Sequence, residues 1–124
     1  MNKDFSEIPP QDLLVKNFNL WDKVWLLLTC GDYALGDFNC MTVSWGSLGV
    51  LWNKPVAIVV VRPTRYTYKF LNSYSTFSLC AFPDQFKPAL NLLGTTSGKD
   101  GNKVTASGLS PIASKTIRAP IYQE

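Results

Sequence analysis

The sequence predicts a mainly β protein with short helices, whose strands run antiparallel. Three segments, 24–29, 38–46 and 56–62, are short and rich in Val, Leu, Thr and Trp, a composition typical of buried strands. Brief turns separate them, which favours an antiparallel meander. The chain of 124 residues fits one domain, because compact domains commonly run about 100–150 residues. We therefore expect a single domain over residues 1–124.

The first half of the chain is predicted to be an arm followed by these three strands. Residues 1–20 carry Pro9-Pro10 and several polar residues, and one helical turn is expected after Pro10. Pro63 ends the third strand because its ring fixes φ and it has no amide proton. Turns are expected at residues 31–32, 36–37 and 52–55.

The second half is predicted to alternate helices and strands. Thr64 is expected to cap a helix over residues 66–71. Within that helix, Tyr66 and Phe70 should face the core. The other expected elements are a strand at 76–82, a helix from 83–84 that buries Phe86, Leu90 and Leu93, a loop at 94–101, a short helix at 102–106 stopped by Gly108, and the start of a strand at 116–122.

Composition and charge exclude several kinds of protein. Hydrophobic residues make up 46% of the chain and charged residues 17%, which indicates a packed domain. The net charge of +3 comes from 12 basic and 9 acidic residues, scattered too widely to predict a nucleic-acid partner. No run approaches the roughly 20 apolar residues of a membrane helix, and residues 1–5 show no secretion signal.

The cysteines bear on the cellular compartment. Cys30, Cys40 and Cys80 are odd in number and far apart in apolar surroundings. This favours reduced thiols in a cytoplasmic protein over a disulfide framework. A single reactive thiol is the alternative.

The residue types also limit the chemistry. The chain has no histidine, so Ser-His and Cys-His hydrolytic pairs and histidine-ligated zinc sites are excluded. Residues 94–100 look like a P-loop, but three residues instead of four separate the glycines, and Asp follows the Lys. No dinucleotide-binding glycine fingerprint follows a predicted strand. Carboxylates are few and lie mostly near turns, so a paired acid and base is possible but unsupported. A chain without histidine or a metal cluster can still be an enzyme if a cofactor carries the chemistry.

Residues 62–67 are the first segment that indicates a ligand. They place two guanidinium groups and two hydroxyls around a strand end and a helix start. The first turn of a helix offers unpaired amide protons and partial positive charge to a phosphate, and arginine adds bidentate hydrogen bonds. An ordinary capped helix with two solvated arginines is the alternative.

Residues 38–46 are the second such segment. As a strand, it sends Cys40, Thr42 and Ser44 to one side and Asn39, Met41, Val43 and Trp45 to the other. Small hydroxyls beside a strand backbone could hydrogen-bond the carbonyl and ring nitrogens of a planar heterocycle. A core strand that tolerates Thr and Ser is the alternative.

Four segments in order resemble a known family. They read NCMTVSWGSLGVLWNKPVA, VRPTRYTYKF, FSLCAF and ALNLLGTTSGKDGNKVTASGL. From Trp25 onward the chain is similar to the flavin reductase-like, FMN-binding split-barrel family of the flavoredoxin type. The resemblance implies a six-stranded antiparallel Greek-key split barrel that binds FMN and pairs as a homodimer.

The resemblance also implies which residues hold the flavin, and it assigns no catalytic side chain and no metal ligand. The isoalloxazine ring is expected along Asn39, Met41, Thr42 and Ser44, with Trp45 nearby. The phosphate is expected to meet Arg62, Arg65 and Thr67. A third matching segment near the ligand adds Ser97, Gly98 and Lys103.

The C-terminal end departs from this family. Similar proteins continue with further strands that help close the barrel, whereas this sequence stops at residues 121–124, within a predicted strand. A natural short version, a truncated gene product and a fragment are all open interpretations. An unclosed barrel would expose a strand edge, which favours pairing with another chain.

The activity implied by the resemblance is that of an FMN-binding oxidoreductase, in which hydride passes from NAD(P)H to the flavin. Two alternatives stay open. One is a flavin-binding electron-transfer or storage module without NAD(P)H oxidation of its own. The other is a structural member of the family that binds no flavin.

Overall fold

The structure, a computed structural model, describes residues 5–124. Residues 1–4, where the expected arm begins and where a secretion signal was sought, lie outside the described residues. The strands are β1 (Leu26–Asp32), β2 (Asp37–Val43), β3 (Gly46–Leu51), β4 (Lys54–Val59), β5 (Phe77–Cys80), β6 (Pro111–Ile112) and β7 (Ile121–Tyr122). The α-helices are α1 (Asn17–Asn19), α2 (Tyr66–Ser73), α3 (Lys87–Thr95) and α4 (Lys103–Ser107). Short 3₁₀ turns occur at Pro10–Asp12, Asp84–Phe86 and Gly98–Asp100, and a π-helical turn, Leu20–Val24, continues α1.

The arm contains the turn predicted after Pro10 and also helical structure that the sequence did not predict. Trp21, within the π-helical turn, is buried. The side chain of Asn17 donates to the Leu48 carbonyl (3.2 Å) and accepts from the Leu48 amide (3.3 Å). These contacts tie the end of the arm to β3.

The central sheet has the strand order β2–β1–β5, and both strand pairs are antiparallel. Leu28 of β1 lies opposite Met41 of β2 and Leu79 of β5. Every residue of β1 is buried, because apolar layers cover both faces of the sheet. Successive side chains point to opposite faces, so Leu27 and Leu28 belong to different core clusters.

The two clusters explain where the other elements pack. Leu90 and Leu93 of α3 are buried on one face, as predicted for this helix. Trp21 covers the other face together with Leu48 and Val59 of the β3–β4 hairpin. The helix α3 thus packs against β2, the strand that carries most of the predicted ring-binding residues.

The β3–β4 hairpin shows that the predicted meander is wrong. The single strand expected over 38–46 is interrupted, because Ser44 and Trp45 leave the sheet between β2 and β3. β3 pairs with β4 and not with β2. In this hairpin the apolar residues Val50 and Trp52 face solvent, with exposed fractions of 73% and 88%. The hairpin therefore does not follow the pattern of a half-buried strand, in which apolar residues face the core and polar residues face solvent.

The three helices that the sequence predicted lie at the expected positions. α2 is longer than predicted, and Arg65 instead of Thr64 occupies its N-cap, without a side-chain hydrogen bond. α4 confirms its prediction: Asn102 Oδ1 accepts from the Thr105 amide (3.2 Å), and Gly108 ends the helix with φ of 78°.

Several strand and loop bounds are corrected. β1 runs through Asp32, where a turn was expected, and the turn lies at residues 33–36. The loop expected at 94–101 contains the end of α3 and a 3₁₀ turn. The strand expected at 116–122 is reduced to β7, because residues 115–119 form bends.

A closed barrel is not found within residues 5–124. The strands there form three separate antiparallel sheets: β2–β1–β5, β3–β4 and β6–β7. β6 and β7 have only two residues each, too few to join the hairpin to the central sheet. The fold is therefore a mixture of short strands and short helices without barrel closure in this part of the chain.

Candidate functional site

A cavity of about 260 Å³ lies at the end of β2, and we call it the strand-end cavity. Residues 41–45 form one wall of it. The segment with Arg62 and Arg65 forms a second wall, and α3 forms the third with Leu90 and Asn91. Because β2 ends at Val43 and the chain then turns away, these side chains border an open space instead of a neighbouring strand.

Two polar contacts define the strand-end cavity. Thr42 Oγ1 donates to the Leu90 carbonyl at 2.5 Å, which fixes β2 against α3. Arg65 Nη2 donates to the Gly94 carbonyl at 3.2 Å. The carbonyl oxygens of α3 thus orient a hydroxyl and a guanidinium at the rim of the cavity.

The two arginines lie close enough to influence each other. Burial lowers the pKa of Arg65 from its ordinary value, and the positive charge of Arg62 lowers it further. The Arg62 guanidinium carbon lies 5.7 Å from the centre of the Trp45 ring, within the range of a cation–π contact. Two like charges held this close together favour an anionic group beside the arginines.

A second cavity of about 320 Å³ adjoins the first, and we call it the Thr67 cavity. Arg65, Gly94 and Thr95 line both cavities. In the Thr67 cavity, Asn39 Nδ2 donates to Thr67 Oγ1 at 2.7 Å, and both residues are buried. The threonine oxygen therefore accepts from the protein and retains its own proton for a ligand.

Lys103 brings a second positive charge to the Thr67 cavity. It is only 7% exposed, and its Nζ donates to the carbonyls of Leu93 (3.1 Å) and Thr96 (3.0 Å) at the end of α3. Burial lowers the pKa of Lys103, and the charge of Arg65 acts in the same direction. An ammonium has three N–H donors, so a ligand phosphate could receive the one that these two carbonyls do not use.

Gly98 allows the closest approach in the site. A Cβ at this position would collide with Asn39 Oδ1. The neighbouring Ser97 lines the Thr67 cavity and accepts from the Lys99 amide at 3.2 Å. The glycine therefore lets the 97–98 backbone press against the Asn39–Thr67 pair.

The structure divides the sequence-predicted site residues between the two cavities. Those at the strand-end cavity are Met41, Thr42, Ser44, Trp45, Arg62 and Arg65. Those at the Thr67 cavity are Arg65, Thr67, Ser97, Lys103 and also Asn39, with Gly98 against Asn39. Asn39 is thus placed away from the residues with which it was grouped, and Arg62 does not line the Thr67 cavity.

Trp25 is a lining residue that sequence reasoning missed. It has φ of 65° and ψ of 157°, a region that non-glycine residues rarely adopt. Lys87 Nζ lies 3.7 Å from the centre of its ring and also donates to the Lys23 carbonyl. No local sequence signal marks this position, because the backbone conformation follows from the π-helical turn before it.

Metal-binding groups and membrane-spanning helices are both absent from residues 5–124. No group of three or more His, Cys, Asp or Glu side chains in this range could hold a metal ion. No helix in the same range has both the length and the apolar character needed to cross a membrane.

Comparison with known proteins gives matches among solved structures. No protein-family model and no curated protein matches the chain. The flavoredoxin of Desulfovibrio vulgaris (Miyazaki F) matches with a TM-score of 0.72 and 22% identity, over 81% of this chain and 54% of that one. An FMN-binding domain of a flavin reductases-like enzyme from Shewanella baltica OS155 matches with a TM-score of 0.71 and 18% identity, over 85% and 55%. The chain spans about half the length of these structures, and over the matched residues it shares their fold.

Proposed function

We propose that this protein binds FMN, with the isoalloxazine ring in the strand-end cavity and the phosphate in the Thr67 cavity. The observation that carries the proposal is the position of Arg65, which lines both cavities. A ligand with its flat ring in one cavity and its phosphate in the other would lie against this guanidinium. The two matched solved structures, a flavoredoxin and an FMN-binding domain, support the choice of ligand.

The Thr67 cavity has the donors that a phosphate needs. Arg65 supplies a planar guanidinium, and Lys103 supplies a buried ammonium already oriented by two carbonyls. The Thr67 hydroxyl, held by Asn39, adds a neutral donor. Charge-assisted hydrogen bonds of this kind are about twice as strong as neutral ones.

The strand-end cavity suits a planar heterocycle. Its walls combine the apolar Met41, Val43 and Leu90 with polar atoms of Thr42 and Ser44. Small-molecule sites are largely apolar, with a few polar groups that fix orientation. The two adjoining cavities together fall within the roughly 300–1,000 Å³ of such sites, so the residues present fit the proposed cofactor.

We further propose that the bound flavin supplies redox chemistry, with NAD(P)H as hydride donor. The chain's own contribution is to position the ring with the 41–45 backbone and to keep water from its inner face with Leu90 and Met41, both at most 5% exposed. A hydride transfer requires no side-chain base, which agrees with a sequence that has no histidine. The alternative is an electron-transfer or storage module that binds flavin without oxidising NAD(P)H itself.

Mixing the purified protein with FMN and with NADH or NADPH separates these possibilities. Quenching of FMN fluorescence on titration supports flavin binding. Steady loss of absorbance at the nicotinamide band supports the reductase, and a yellow protein without that loss supports the module. A colourless preparation that leaves FMN fluorescence unchanged would contradict the proposal of a flavoprotein.

We also propose a homodimer that completes the split barrel. The β3–β4 hairpin exposes Val50 (73%), Leu51 (55%) and Ile58 (53%), and exposed apolar patches mark association sites. Sedimentation of the wild type as a dimer, and of Val50→Glu as a monomer, would support this proposal. A wild type that sediments as a monomer would contradict it.

We propose a cytoplasmic location on the basis of the thiols. Cys30, Cys40 and Cys80 are free in the structure, and unpaired cysteines are typical of reducing compartments.

A further inference from the structure

A third groove, which we call the Lys69 groove, begins where the Thr67 cavity ends. It measures about 480 Å³. Thr64, Arg65, Tyr66 and Ser97 line both spaces. The groove then follows α2 as far as its last residue, Ser73. A phosphate held beside Arg65 would therefore lie next to both spaces.

The charge of the Lys69 groove is positive. Arg65, Lys69 and Lys99 line it, and none of its described lining residues is acidic. Asp37, in the neighbouring cleft, is hydrogen-bonded by the Tyr74 hydroxyl at 2.5 Å. Three cations, from the N-cap of α2, from α2 itself and from the 97–100 turn, thus line one groove, which favours a ligand with more than one phosphate.

Two tyrosines give the groove a surface for a flat ring. Tyr66 is half-buried, and its ring is held edge-on against Phe70 at 5.4 Å. Lys69 Nζ lies 5.7 Å from the centre of the same ring. Tyr68, 36% exposed, lies two residues further along α2 and also lines the groove. Aromatic side chains that lie beside cations stack readily with nucleic-acid bases.

We propose that the Lys69 groove binds the adenosine diphosphate half of a dinucleotide. The lysines meet the phosphates, and Tyr66 or Tyr68 stacks on the adenine. Two ligands end in such a group: the nicotinamide dinucleotides, which would place both phosphates in the groove, and FAD, whose flavin-side phosphate would occupy the Thr67 cavity and leave its second phosphate and its adenosine to the groove. The direction in which FAD would lie rests on the proposed flavin site, whereas the contacts to adenosine diphosphate do not.

Calorimetric titration of the full chain with ADP tests the groove directly. The double variant Lys69→Ala/Lys99→Ala should bind ADP roughly tenfold more weakly, because two charge-assisted contacts at an exposed site are lost. A matched control, Lys54→Ala/Lys115→Ala, removes the same charge from exposed positions outside the groove and should stay within about twofold of the wild type. The proposal is overturned if ADP does not bind, or if both double variants lose the same affinity.

Inorganic pyrophosphate shows whether the adenosine is recognised. Tyr68→Ala should weaken ADP binding several-fold and leave pyrophosphate binding unchanged. Equal affinities for ADP and pyrophosphate, with no effect of Tyr68→Ala, would reduce the groove to an anion site and overturn the adenosine assignment.

Titrations with FMN, FAD and NADPH identify the source of the group. If FAD is the ligand, the Lys69→Ala/Lys99→Ala variant loses affinity for FAD far more than for FMN. If a nicotinamide dinucleotide is the ligand, the same variant loses affinity for NADPH and keeps its FAD-to-FMN ratio. If the wild type does not bind FMN, the proposed flavin site is wrong. The ADP titration still tests the Lys69 groove in that case.

Discussion

Replacing Arg65 by alanine is expected to weaken FMN binding about 10–100-fold. The guanidinium lines both the strand-end cavity and the Thr67 cavity, so under the proposed placement it lies between the ring and the phosphate and can hydrogen-bond the phosphate. Losing hydrogen bonds from a charged group costs about 1.5–3 kcal/mol, and each 1.4 kcal/mol is about tenfold in affinity. The assay is quenching of FMN fluorescence during titration of the purified variant.

Two further arginine variants make this test specific. Arg62 lines only the strand-end cavity, so Arg62→Ala should cost only about threefold to tenfold, as expected for a partly solvated charge. Arg118 is exposed and forms an ion pair with the largely buried Asp32 at 3.8 Å; it lines neither cavity, and Arg118→Ala should leave FMN binding unchanged. A thermal melt of each variant checks that the fold is retained. The reasoning is refuted if Arg65→Ala titrates like the wild type.

Three other predictions concern the surroundings of the site. Gly98→Ala should displace Asn39, break its bond to Thr67 and weaken FMN binding roughly tenfold; Gly49→Ala, where a Cβ meets nothing within 4 Å, is the control and should bind normally. Burial lowers the pKa of Lys103, and a bound phosphate favours the charged form of this lysine. The affinity for FMN should therefore fall as the pH rises through a range below the usual lysine pKa of about 10.4. A Lys103→Met variant that keeps the same pH profile would contradict this assignment. The three thiols should react slowly with a disulfide reagent near pH 8 and all react in urea, because burial raises the pKa of each; rapid reaction of the folded protein would show that a thiol is accessible.

The elements that the sequence predicted correctly are those with local signals. The short helix α4 has a side-chain cap at Asn102 and a left-handed glycine at Gly108, and both residue types act within a few positions of themselves. The buried face of α3 follows from the spacing of Leu90 and Leu93. The cluster at residues 62–67 is likewise contiguous in sequence.

Features that depend on distant contacts could not be predicted in this way. The break between β2 and β3 depends on the hairpin leaving the central sheet, and its exposed residues carry no periodic pattern. Asn39 and Met41 share a face of β2, yet α2 draws Asn39 to the Thr67 cavity through a hydrogen bond to Thr67. Trp25 reaches the strand-end cavity only because a π-helical turn sets its backbone. Packing between distant elements determines where each of these residues lies, and a single sequence carries no local signal for such packing.

The most direct test compares FMN with riboflavin, which lacks only the phosphate. If Arg65, Thr67 and Lys103 hold that phosphate, the wild type should bind FMN at least about tenfold more tightly than riboflavin, and Arg65→Ala should remove most of the difference. Equal binding of FMN and riboflavin by the wild type would contradict the phosphate site and the account built on it.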